Sequence, residues 1–161
     1  MKKLMAFVVL LSIISCTGNG SKGYEKIITI KDHNWQRFNK LNFEVPVKKN
    51  DSLDFYLVFR YNADFSEKRL PVNITFYTPG GETRSRNFSF WLVDRKTKKK
   101  LGTTENHKTS IVLPIRKEMP FIANGVCKVT IEKKIPKVDN FGIEAVGLKA
   151  IKSISKKADN K

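Results

Sequence analysis

The chain has 161 residues, of which 40% are hydrophobic and 29% charged, and its 31 Lys+Arg outweigh 15 Asp+Glu for a formal net charge of +16. That length and balance predict one core-forming domain and exclude both a low-complexity disordered chain and a polytopic membrane protein. Two cysteines are too few for a disulfide-stapled scaffold, and two histidines leave little for a histidine-built metal site.

Met1-Lys2-Lys3 is a positively charged start, and Leu4 to Ile14 is an apolar run broken only by Ser12. The run is too short for a membrane-spanning helix, which needs about 20 apolar residues, and has the form of a secretory signal. It ends at Ile13-Ile14-Ser15-Cys16, two branched apolar residues and a small one directly before cysteine. This pattern resembles the bacterial lipobox, which makes Cys16 the expected lipid-attachment residue and an acylated anchor in a bilayer. Thr17-Gly18-Asn19-Gly20-Ser21 follows at once and reads as a flexible tether. The expected organisation is a signal peptide over 1–15, lipidated cysteine and tether over 16–23, a folded domain over 24–152 and a basic tail over 153–161.

From Tyr24 onward the chain alternates with period two, the pattern of half-buried strands. Tyr24 to Ile30 begins the sheet, and Leu41, Phe43, Val45 and Val47 alternate next, with Pro46 marking an edge strand or a strand end. Leu53, Phe55, Leu57, Phe59 and Tyr61 form the longest stripe. Val72, Ile74 and Phe76 repeat it up to the turn Thr78-Pro79-Gly80-Gly81. Phe88, Phe90 and Leu92 follow, then Ile111, Leu113 and Ile115, then Cys127, Val129 and Ile131, and last Val146 and Leu148. A helix over Val146 to Ser155 is the alternative for that final segment. About eight strands without intervening helices predict an all-β, antiparallel β-sandwich of jelly-roll or immunoglobulin-like type. Cys127 shares a strand face with Val129 and Ile131 and reads as a buried small hydrophobe.

No spacing in the chain matches a nucleophile with its base, paired catalytic carboxylates, a P-loop or a dinucleotide fingerprint, so neither an enzyme nor a cofactor is expected. The basic excess gathers in Arg95-Lys96-Thr97-Lys98-Lys99-Lys100, with lesser clusters at Lys48-Lys49, Arg84/Arg86 and Lys133-Lys134. Such charge suits phosphates. A secreted, tethered domain meets lipid headgroups sooner than nucleic acid, so Arg95, Lys96, Lys98, Lys99 and Lys100 are candidate contacts to an anionic surface and no nucleic-acid partner is expected. Trp35, Tyr56 and Trp91 are candidate partner or glycan contacts, because aromatic rings serve as platforms for sugars. A cluster of the three on one exposed face would favour a glycan-binding surface lipoprotein; burial of two would count against it.

The assembled order resembles the gliding-motility lipoprotein GldH family of the Bacteroidetes. The likeness runs from the lipobox cysteine through Tyr24-Glu25, Trp35, Phe43-Glu44-Val45, Tyr56 to Arg60 and Ile74 to Gly81. It closes with Gly125 to Glu132 and with Phe141-Gly-Ile-Glu-Ala-Val-Gly-Leu-Lys149. The loops at Ala63–Leu70 and Leu101–His107 depart from the family's pattern. The resemblance implies an envelope lipoprotein that supports gliding beside the type IX secretion apparatus, with other gliding and secretion envelope proteins as partners and no catalytic residues. With no acidic run after Cys16, a periplasm-facing anchor is expected, and a small-molecule ligand is not.

Overall fold

The computed structural model describes residues 23–154. The expected signal peptide, Cys16, most of the tether and the tail beyond 154 lie outside the described residues.

Nine strands follow in order: β1 (Tyr24–Thr29), β2 (Leu41–Val47), β3 (Ser52–Tyr61), β4 (Arg69–Tyr77), β5 (Thr83–Trp91), β6 (Thr103–Glu105), β7 (Lys108–Pro120), β8 (Gly125–Lys133) and β9 (Ile143–Lys152). They form two antiparallel sheets, ordered β1-β9-β3-β7-β6 and β2-β8-β4-β5. β1 pairs β9, β2 pairs β8, β3 pairs β7 and β4 pairs β5, so the chain is one long hairpin rolled onto itself. β3–β9 and β4–β8 are the seams that close the roll. Of the two sandwich types expected, this is the jelly roll.

All eight anticipated strands are present, and β6 is an addition at the sheet edge. The final segment is strand β9 and not a helix. Its burial does not alternate because its outward positions include the small Ala145 and Gly147, opposite Arg60 and Val58 of β3, which leave little side chain to expose.

Side chains of one parity fill the space between the sheets. Phe43, Phe55, Phe59, Leu57, Leu70, Ile74, Ile131 and Leu148 are all fully buried there. Phe55 meets Phe76 edge-on at 5.1 Å between ring centres, and Phe59, Tyr61 and Phe65 pack as a second aromatic group. Cys127 is buried among them, and burial pushes its thiol up to about 11, which keeps it unreactive at neutral pH.

The roll has two unlike ends. At the near end, β1 starts and β9 finishes with Tyr24 opposite Ala150, and the connections there are the short turns 48–51, 78–82 and 121–124. At the far end lie all the long connections, 30–40, 62–68, 92–102 and 134–142. Among the described residues no helix is long and apolar enough to cross a membrane.

Candidate functional site

The far-end loop after β5 is shaped by Asp94. Its Oδ1 accepts hydrogen bonds from the backbone of Lys96 (2.9 Å) and Thr97 (2.6 Å) and from Thr97 Oγ1 (3.0 Å). Those bonds close a tight turn, with Lys98 in the left-handed region at φ 60°, and hold the Asp94 carboxyl below its ordinary range. Leu92 and Leu101 then pair through their backbones, so the loop stands as a small hairpin.

Trp91 ends β5 on the outer face of its sheet, directly across from Arg69 of β4. The Arg69 guanidinium lies 4.0 Å and that of Arg95 5.6 Å from the indole centre. Lys68, Arg69, Trp91, Arg95, Lys96 and Lys98 line one open groove. The structure thus brings together Trp91 with Arg95, Lys96 and Lys98 from the predicted residues, and adds Lys68 and Arg69, an adjacent pair where loop 62–68 meets β4. Lys99 and Lys100 are not in the groove; Lys100 turns its ammonium toward the Tyr61 ring instead, at 5.7 Å.

The other two aromatic candidates go elsewhere. Trp35 is 0% exposed, its indole N–H donating to the Asn39 carbonyl at 2.7 Å, because loops 30–40 and 134–142 close over it. As a surface contact it is corrected: it is a core residue. Tyr56 is half-buried on the outer face of the five-stranded sheet, between Pro114 and Lys149, and Trp91 belongs to the other sheet. The three rings share no face and make no platform. Cys16 lies outside the described residues.

Two polar assemblies at the far end escaped the sequence. Glu144 accepts from Asn62 Nδ2 (2.9 Å), His33 Nδ1 (2.8 Å) and Lys108 Nζ (3.0 Å), tying three separate segments to β9. Desolvation works to raise its pKa, but the bonds from Lys108 and Asn62 and the neighbouring charges outweigh it, so the carboxyl sits below its ordinary range. A saturated carboxylate of that kind binds and braces; it does not serve as a general acid. Lys133, read above as part of a surface cluster, is 2% exposed. Its ammonium donates to the carbonyls of Trp35 (2.5 Å), Lys137 (3.4 Å) and Val138 (3.5 Å), and burial depresses its pKa to about 8. Strand parity carried the missing signal, since Lys133 continues the inward series Cys127, Val129, Ile131. No such signal existed for Glu144, whose partners are far apart in the chain.

Among the described residues no cluster of potential metal ligands is present. The class this geometry defines is a jelly-roll domain that offers a loop-built, basic surface at one end. The chain belongs to the GldH lipoprotein family, which matches residues 22–150, and this is not a known enzyme family. Its place is therefore a membrane-anchored one in the cell envelope, in a family associated with gliding.

No curated protein matches the chain. Among solved structures, it is similar to the infectious bursal disease virus VP2 subviral particle (15% identity, TM-score 0.38, 92% of this chain and 38% of that one). It is also similar to TmCBM61 in complex with β-1,4-galactotriose (13%, 0.35, 80% and 82%) and to dimeric latent PorU from Porphyromonas gingivalis (12%, 0.33, 84% and 14%). The chain thus spans little more than a third of the viral protein's length. TM-scores this low assign neither ligand nor partner to this chain.

Proposed function

We propose that this lipoprotein supports gliding motility by assembling or stabilising a motility and type IX secretion-associated complex, with its domain facing the periplasm. The observation that carries the reading is the polarity of the roll. Cys16 joins the sandwich through Gly23 at the near end, while every long connection and the basic groove lie at the far end. Loops positioned by a rigid scaffold are where binding surfaces concentrate. The far end also carries exposed Phe38, Val138 and Phe141, with Phe38 held at φ 69°, and such exposed apolar groups favour a protein partner.

The test is deletion of the gene, scored by colony spreading and surface adhesin movement, with complementation by wild type and by Cys16→Ala. Loss of spreading, restored by wild type and not by the cysteine variant, is the expected result. Unchanged spreading overturns the motility reading. Protease added to intact cells tests orientation: digestion of the domain from outside overturns a periplasmic placement.

A further inference from the structure

The distribution of the acids leaves the cations of the Trp91 groove outside every ion pair of the described residues. Glu144 is taken up by His33 and Lys108, Glu82 by Arg84, Glu132 by Lys134, Glu67 by Lys137 and Asp51 by Lys152. Among the described residues, Lys68, Arg69, Arg95, Lys96 and Lys98 make no ion pair, and the one carboxylate beside them, Asp94, spends its Oδ1 on its own turn. Five cations are thereby gathered around a single carboxylate, Asp94. Two of them are guanidiniums held against one indole, an arrangement that fixes their position yet leaves their N–H forks free for bidentate oxyanions.

We propose that this groove is the docking site for an acidic, extended polypeptide segment of an envelope partner. Two features favour a polypeptide. Arg69 stacked at 4.0 Å covers the indole, so the ring is not a free platform for a sugar or a base. The two guanidinium carbons, at 4.0 and 5.6 Å from one ring centre, are less than about 10 Å apart, which suits carboxylates two residues apart on an extended strand, spaced about 6.6 Å.

The inference rests on the reading that the far end meets a partner, and it is tested separately. Full-length lipoprotein in non-ionic detergent is titrated with fluorescein-labelled poly-L-glutamate, followed by anisotropy over a salt series. Binding that weakens with salt is expected. Arg69→Ala/Arg95→Ala should lower affinity about tenfold or more, the worth of a charge-assisted hydrogen bond. Lys96→Glu/Lys98→Glu, on exposed side chains outside the core, should do likewise, while Lys99→Ala/Lys100→Ala should leave affinity unchanged. No binding, or binding indifferent to the Lys96/Lys98 reversal, overturns the proposal. So does preferential binding to vesicles containing anionic phospholipid that depends on the same residues, which would make the ligand a membrane. A deletion strain that still spreads would remove the motility reading and leave this binding result standing.

Discussion

Gly142 stands at φ 83°, where a Cβ would meet the Phe65 backbone nitrogen at 2.2 Å and Asn62 Oδ1 at 2.7 Å. Its carbonyl also accepts from the Asn62 backbone, so the close approach joins loop 62–68 to the start of β9. Gly81 shares the backbone conformation, φ 85°, with open space around it. The pair separates two effects. Gly81→Ala should cost about 1 kcal/mol for the strained conformation alone, and Gly142→Ala at least about 2 kcal/mol, because backbone must also move. Denaturant midpoints check the difference; equal losses would mean that crowding at Gly142 is relieved without cost. Gly147 is constrained differently: in mid-strand, its Cβ would meet Ile27 Cγ1 and the Lys26 carbonyl at 2.9 Å, so β1 lies close over it. Both glycines of the closing segment that carried the family resemblance thus have a steric reason.

At the scale of elements, Lys133 is the strut of the far end. It projects from β8 into the backbone carbonyls of the two loops that bury Trp35. Its pKa is depressed to about 8 from 10.5, first by desolvation, with the charge of Arg37 adding to it and that of Asp139 opposing. Between those values the unfolded chain binds more protons than the folded one, so this residue makes stability rise with pH from about 8 to 10.5 and contributes no pH dependence below. The difference in unfolding free energy between wild type and Lys133→Met, measured from pH 7 to 10.5, should therefore be flat up to about 8 and then climb. A flat difference throughout would show the ammonium to be as well solvated folded as unfolded.

Strand β5 illustrates a different use of charge. Arg84 and Arg86 lie across from Phe76 and Ile74, on the core side of an edge strand that has no outer neighbour among the described residues. Inward-pointing charge on an edge keeps a second chain from pairing there. Arg84→Val/Arg86→Val should yield dimers or larger species in size-exclusion chromatography, whereas a protein that stays monomeric would assign the two arginines some other task.

For the whole molecule, what could be read in the sequence depended on whether a feature repeats locally. Period-two alternation exposes seven strands of the roll because each has one wet face. It fails for β6, whose Thr103–Glu105 is exposed throughout, and for β9, whose outward Ala145 and Gly147 blur the alternation and so admit a helix as readily as a strand. Which sandwich these strands form is decided by pairings such as Tyr24 with Ala150, which leave no local trace. The groove was half legible: the dense run supplied Arg95, Lys96 and Lys98, but Arg69 joins only because β4 and β5 bring it opposite Trp91. Trp35 misled for the same reason, since a polar stretch of sequence says nothing of a second loop folding over it.

The position of β1 has a mechanical side. With Cys16 anchored and the proposed partner held at the far end, tension would pull on Gly23 along the axis of β1 and on the far end the opposite way. The hydrogen bonds of the β1–β9 ladder, from Tyr24–Ala150 to Thr29–Ala145, stand across that line of force. They are loaded together in shear, not peeled apart one after another. Tension drawn between the near-end neighbours Gly23 and Lys152 would instead unzip the same ladder bond by bond, so the roll is strong in the direction from membrane to far end and weak across its base.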